Sequence, residues 1–363
     1  MTLEAVDKIE RYDSRELDIE LNELVQRGRE ACGDGHEWLA VLILCDLGRC
    51  LWVGESVARL SADPVENLRL RCREFSRLLE FRARLLPPRW GTHWFTAEAP
   101  RQWASVEEHT HKLYTSLWLP FDDHTYFRET AELLRARMER NGISPARIEG
   151  KSCLDAGCGS GRYAVALKTL GAKDVVGLDL GVAALVDAQE RLARAGMSGV
   201  SFKEGSVLDI PFSDGRFDFV MSNGVLHHTR DPLKGLQEMW RVMKPGGEGW
   251  LYLYNSDGLY WATRKAMRRI AAMIPEEVCR QVLQSLQLRP NRIFMYMDTI
   301  YVPIEENYTR AEVEAMLARA GFRSWTFLAR GGDRDLSEAV ARGDVGARAM
   351  YGEYGDLRFW VQK

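Results

Sequence analysis

The chain has 363 residues, 46% hydrophobic and 28% charged, with a formal net charge of −3. That composition fits an ordinary globular protein of one or two domains and excludes a low-complexity or collagen-like chain. The near-balanced charge, with no basic tail, disfavours a large phosphate-binding surface. The seven cysteines are scattered, with no C-x-x-C pair, so neither a disulfide framework nor a zinc site is expected, and no metal is assigned. The first residues lack the apolar core of a signal peptide. The apolar run from Trp38 to Cys45 is broken by Asp46 and Arg49, far short of a membrane span. A cytoplasmic location with reduced thiols is the resulting expectation.

Residues 1–86 show helical periodicity. Leu17, Ile19, Leu21, Leu24 and Val25 mark an amphipathic helix, and the Trp38 run reads as a buried one. A third helix, from Val65 to Leu86, carries Arg69, Arg71, Arg73, Arg77, Arg82 and Arg84. These arginines form a solvated basic face, partly offset by Glu66, Glu74 and Glu80. Pro87-Pro88 ends that helix and places a domain boundary near residues 87–105. Residues 106–148 are rich in aromatics and hold His109, His111 and His124, without the acid or cysteine spacing of a metal site.

The stretch Leu154-Asp155-Ala156-Gly157-Cys158-Gly159-Ser160-Gly161 follows a short apolar strand and opens a helix at Arg162. Such a turn brings backbone close to a ligand. Its G-x-G-x-G spacing differs from the dinucleotide pattern, and Asp155 would repel a pyrophosphate. An acid here suits a ligand with an ammonium group and no phosphate, and S-adenosylmethionine (SAM) has that make-up. A second strand ends in Asp179, 18 residues after Gly161, near the roughly 20-residue interval that places an acid on a ribose diol. A third strand starts at Val200. A fourth runs from Arg216 to Asn223 and continues into His227-His228, and a fifth spans Trp250 to Tyr254.

Taken in order, Leu-Asp-Ala-Gly-Cys-Gly-Ser-Gly, Val-Gly-Leu-Asp, Asp-Ile-Pro-Phe, Phe-Asp-Phe-Val, Val-Leu-His-His and Lys-Pro-Gly-Gly resemble the core of class I SAM-dependent methyltransferases. The likeness is greatest to the small-molecule enzymes of the ubiquinone and menaquinone type, and is firm over residues 150–254. It implies an α/β fold: a Rossmann-like seven-stranded sheet, mostly parallel, with an antiparallel last strand, beside an N-terminal helical domain. The expected domains are residues 1–100 and 101–363, with lid helices at 106–148 and a substrate-cap insertion at 255–307. Within that insertion, helices are read at Leu259–Ile274 and Glu276–Leu288, and an extended piece at Ile293–Pro303. Thr309-Arg310-Ala311-Glu312 is a capping box for the last amphipathic helix. Two final strands, Phe322–Leu328 and Leu357–Gln362, follow, joined by a charged loop.

The resemblance implies that Asp155, Gly157, Gly159 and Gly161 hold the methionine end of SAM. Asp179 and Leu180 take the ribose side, Ser206 and Val207 flank the adenine, and Asn223 lies near the sulfonium. The family usually has an acid where Ser206 stands; a serine hydroxyl accepts without charge. A histidine is suited to accept a proton at neutral pH, so His227 and His228 are the catalytic candidates, with His227 preferred. Trp118, His124, Tyr260 and Tyr301 are candidate substrate contacts. The expected partner is a small-molecule acceptor, not nucleic acid or membrane, and S-adenosylhomocysteine (SAH) is the expected product. A homo-oligomer is compatible with the sequence. The alternatives are an RNA- or peptide-directed methyltransferase that docks through the N-terminal helices, or transfer of a modified SAM group.

Overall fold

In the computed structural model, residues 14–51, 64–86 and 122–363 are described. In chain order the elements begin with α1 (Ser14–Gly33), α2 (Glu37–Leu51), α3 (Pro64–Leu85) and α4 (Thr130–Arg140). Then come β1 (Ser152–Ala156), α5 (Arg162–Thr169), β2 (Asp174–Asp179), α6 (Val182–Arg194), β3 (Val200–Glu204), β4 (Phe217–Asn223), α7 (Pro232–Val242) and β5 (Met243–Leu253). The chain continues through α8 (Leu259–Ala271), α9 (Glu276–Ser285), α10 (Pro290–Tyr301), α11 (Arg310–Ala320), β6 (Ser324–Phe327), α12 (Leu336–Ala341), α13 (Ala347–Tyr351) and β7 (Leu357–Gln362).

The chain divides into two compact units, each made of three segments. The first comprises residues 1–104, 257–302 and 334–355, and the second comprises 105–256, 303–333 and 356–363. Most of the 255–307 insertion therefore groups with the N-terminal helices.

The first unit is helical throughout its described residues. Helix α1 packs on α3 and α8, and α2 packs on α9. Gly28 allows α1 to approach α8, since a Cβ there would lie 3.0 Å from Ile270. Four arginines of α3 face acids. Arg69 pairs with Glu16, Glu20 and Glu66, Arg73 with Glu20 and Glu66, Arg71 with Asp46, and Arg82 with Asp34. One correction falls in this unit: the expected extended piece at Ile293–Pro303 is helix α10. Pro290 stands in its first turn, a favoured helix start. Its buried residues Tyr296, Met297 and Ile300 recur at helical spacing, so packing overrode the strand propensity of the aromatic and β-branched residues.

The second unit is a seven-stranded sheet of order β3-β2-β1-β4-β5-β7-β6. Strands β1 to β5 pair in parallel, and β7 runs antiparallel to both β5 and β6. Helices on both faces explain why the central strands read as continuous apolar runs. Cys153, Val175, Phe219, Met221, Trp250 and Trp360 form one buried layer with Val165 and Leu167 of α5 and Leu134 and Met138 of α4. Helix α11 carries the expected capping box, with Thr309 and Glu312 each bonding the other's backbone N–H. The charged loop before β7 contains two short helices, α12 and α13. Among the described residues, no helix is long and apolar enough to cross a membrane.

Candidate active site

The strand order reverses at β1, between β2 and β4. In open α/β sheets a crevice opens at that switch point, beyond the carboxyl ends of the strands. The loop after β1 fills this place because two of its glycines are sterically required. Gly157 and Gly161 both have φ of +82°. A Cβ on Gly157 would overlap Val225, and one on Gly161 would lie 2.5 Å from the Phe202 ring. The turn is pinned from beneath: the N–H groups of Gly157 and Cys158 both donate to the Leu178 carbonyl, at 2.8 and 3.0 Å.

Asp179, at the end of β2, ties two loops together. Its Oδ2 accepts from the Gly159 N–H and its Oδ1 from the Gly181 N–H, each at 2.8 Å. A carboxylate accepts hydrogen bonds and donates none, which is the chemistry that hydroxyl donors require. Leu180 beside it is 37% exposed, an apolar side chain held open to solvent at this edge.

Asp155 is buried at the end of β1, with 2% exposure. Burial, and then the Asp179 carboxylate, push its pKa up to about 7 against the N–H of Ala164, which favours the charge. Its Oδ2 has no hydrogen-bond partner in the protein. A buried carboxylate with an unmatched oxygen and a neighbouring anion is suited to a cationic donor. The pair Asp155 and Asp179 therefore fits a ligand that carries an ammonium group at one point and hydroxyls at another.

The turn after β3 holds Ser206 and Val207. Ser206 Oγ accepts from the Leu208 N–H at 3.1 Å, and Val207 is buried. Asn223, at the end of β4, uses Oδ1 to accept from the indole N–H of the buried Trp250 at 2.9 Å. The chain then turns through Gly224 into a single 3₁₀ turn, Leu226–His228. His227 is fully buried and stacks on Tyr254, with ring centroids 3.7 Å apart and planes 25° apart. His228 is half-buried, and its Nδ1 lies 2.7 Å from the Ile304 carbonyl. A carbonyl only accepts, so Nδ1 carries a proton here.

The other candidates lie elsewhere. Trp118, like His109, His111 and the 87–105 boundary, falls outside the described residues. His124 is 64% exposed and faces Glu129. Tyr260 and Tyr301 belong to the first unit and are tied inside it: Tyr260 Oη accepts from Arg264, and Tyr301 Oη donates to the Ile274 carbonyl. One residue that sequence reasoning passed over does reach the loop. Tyr126, two positions from His124, is buried and donates to the Ser160 carbonyl at 2.6 Å. Its ring lies 5.1 Å from the Arg191 guanidinium. Among the described residues no three His, Cys, Asp or Glu side chains cluster as a metal site.

Residues 154–251, from the glycine loop to β5, match the methyltransferase domain family. They form a class I SAM-dependent methyltransferase domain. Its relatives include a tRNA U34 carboxymethyltransferase of Methylococcus capsulatus, 33% identical over 146 residues, which is 40% of this chain and 44% of the relative. An arsenite methyltransferase of Aquipseudomonas alcaligenes is 36% identical over 124 residues, covering 32% of this chain and 35% of the relative. A demethylmenaquinone methyltransferase of Shouchella clausii is 37% identical over 101 residues, covering 27% and 43%. The chain spans less than half the length of these three curated relatives. All three are named as methyl or carboxymethyl transferases, and their names differ in the acceptor: tRNA, arsenite and demethylmenaquinone. The methyl donor of the family is SAM.

Proposed function

We propose that this protein transfers the methyl group of SAM to an atom of a small or medium-sized organic acceptor. The observation that carries the donor half is Asp155: a buried, partly unmatched carboxylate at the switch point, beside a second carboxylate. An ammonium group there would restore the missing partner and offset the Asp179 charge. Asp179, whose carboxylate is held in place by the Gly159 and Gly181 N–H groups, would accept from the ribose hydroxyls. Ser206 Oγ accepts from the Leu208 N–H, and its hydroxyl, one donor with two acceptor lone pairs, is suited to an adenine edge. Asn223 is held by Trp250, which fixes the end of β4 at the crevice.

SAM supplies an activated methyl group on a sulfonium, so much of the protein's task is positioning. A hydroxyl or amine acceptor must also lose a proton. Of the two histidines, the geometry favours His228 for that role: its Nδ1 is anchored to the Ile304 carbonyl, and the ring is only half-buried. His227 fills the stack with Tyr254. All seven cysteines are buried free thiols, and burial raises the pKa of Cys153 to about 12, so a soft metalloid acceptor is not favoured. The ion-paired arginines of α3 lend no support to an RNA acceptor.

The test is a calorimetric titration with SAH. One-to-one binding is expected, weakened at least tenfold in Asp179→Ala. An unchanged affinity in that variant would remove the ribose assignment, and no binding to the wild type would remove the methyltransferase reading. Product mass distinguishes transfer of a bare methyl from transfer of a carboxymethyl group. Bulk tRNA retained at low salt would favour the nucleic-acid acceptor.

A further inference from the structure

The glycine loop is held from a second side, by the segment that precedes α4. Residues Thr125–Glu129 form one π-turn, a rare helix form that occurs mostly as single turns and often at functional sites. Tyr126 lies in that turn, 1% exposed, and its hydroxyl donates to the Ser160 carbonyl at 2.6 Å. The N–H of the same peptide, that of Gly161, donates to the Cys158 carbonyl at 2.9 Å. The Ser160–Gly161 peptide is therefore fixed at both of its polar ends, just before α5 starts at Arg162. The approach is close: a Cβ on Gly161 would lie 3.3 Å from the Tyr126 Oη.

The tyrosine ring is braced as well. The guanidinium of Arg191, a buried residue of α6, lies 5.1 Å from its centroid, and two acids hold that guanidinium, Asp187 at 2.7 Å and Asp123 at 3.5 Å. The Phe127 ring meets it edge-on, with centroids 4.9 Å apart. Helix α6 follows the Asp179–Gly181 turn, so one tyrosine links the loop after β1 to the helix after β2. Burying a hydroxyl costs free energy that a hydrogen bond offsets, and a phenylalanine would fill nearly the same volume without that cost. The bond that offsets it here runs to the glycine loop, 34 residues along the chain.

We propose that Tyr126 is a positioning residue for the methyl donor: its hydroxyl fixes the Ser160–Gly161 peptide, and through it the part of the loop that holds the amino-acid end of SAM. This inference rests on the methyltransferase reading above. The residues assigned there to the adenosine end are held by other groups, Asp179 by the Gly159 and Gly181 N–H groups and Ser206 by the Leu208 N–H. Loss of the Tyr126 bond therefore releases the end of the loop nearest α5 and leaves the adenosine contacts in place. A donor anchored only by its adenosine end loses the in-line placement on which methyl transfer depends.

Two ligands separate the two ends of the site. SAH carries the amino acid, and 5′-methylthioadenosine has the same adenosine and thioether without it. Both are titrated by calorimetry into the wild type and into Tyr126→Phe, which keeps the ring and removes only the hydroxyl. In the variant, SAH affinity should fall about fivefold or more, the value of one net hydrogen bond, while methylthioadenosine affinity stays within twofold. A purely structural role for the tyrosine would weaken both ligands equally and overturn the proposal. Unchanged SAH affinity would also overturn it and leave the donor site standing. No binding of SAH to the wild type would overturn the methyltransferase reading and this inference with it. Should the phenylalanine variant fail to fold, Arg191→Gln keeps the tyrosine hydroxyl and removes the cation over its ring. That variant should weaken SAH binding at least twofold more than methylthioadenosine binding, and equal effects on the two ligands would overturn the positioning role.

Discussion

The buried carboxyl of Asp155 is a stability problem for the fold, and that problem can be measured. Its carboxyl holds its proton to about pH 7 in the fold, against an ordinary value of 3.8. The displacement corresponds to about 4 kcal/mol between the two protonation states. Between those pH values the native state binds more protons than the unfolded chain, so stability falls as pH rises through the window. From pH 5.5 to 8.5 the part of the window crossed is about 1.5 pH units, or about 2 kcal/mol. Asp155→Asn preserves shape and removes the ionisation. The variant should therefore gain about 2 kcal/mol relative to the wild type on going from pH 5.5 to 8.5. The lost or altered bond from Ala164 acts mainly as an offset common to both pH values. Chemical denaturation without ligand at the two pH values, followed by fluorescence, gives the comparison. Saturating SAH should shrink the wild-type dependence, because its ammonium group favours the ionised carboxylate. A stability difference between variant and wild type that is the same at both pH values would refute the assignment of a raised, burial-driven pKa to Asp155.

Gly161→Ala places a Cβ 2.5 Å from the Phe202 ring at a φ of +82°. It should cost more than about 2 kcal/mol through strain and overpacking, read as a lower melting temperature, and weaken SAH binding at least tenfold. His228→Ala should lower turnover of a hydroxyl or amine acceptor by on the order of 10²–10⁴-fold, with SAH affinity within twofold. His227→Ala should instead lower the melting temperature by opening a cavity against Tyr254, so equal effects of the two on stability would merge their roles. Thr309→Ala removes the cap of α11 and should cost about 1 kcal/mol in thermal unfolding, with no change in SAH affinity.

The strand and glycine-turn frame that carries Asp155 and Asp179 was legible in the sequence because it is local. A strand, a glycine turn and the acid at the end of the next strand are encoded within a few tens of residues, and Asp155, Gly157, Gly161 and Asp179 stand where the spacing implies. The capping box of α11 was legible for the same reason. Helix α10 was not, since its aromatic and β-branched residues carry strand propensity and only tertiary packing settled the conflict. Tyr126 and the buried Asp356–Arg358 ion pair, which the Tyr252 hydroxyl joins at Asp356, were missed because each depends on partners far along the chain, 104 residues apart for Tyr252 and Asp356. A signal for the latter was present: Asp356 and Arg358 alternate with the apolar Leu357 at the start of an otherwise apolar strand. Charges that enter an interior strand call for an internal partner.

The place of β7 has a consequence for how the polypeptide is made. It is the last of the seven strands to leave the ribosome, yet it lies between β5 and β6. Until it emerges, β5 lacks its outer neighbour and β6 has none within the sheet. About a hundred residues separate Leu253 from Leu357. At roughly 5–20 residues per second, the nascent sheet waits on the order of 5–20 s with an open hydrogen-bonding edge. That edge is apolar on β5, where Trp250, Leu251 and Leu253 are all buried once the sheet is complete. Synthesis at high expression should therefore be sensitive to chaperone supply at this stage, and pausing before codon 357 would prolong the vulnerable interval.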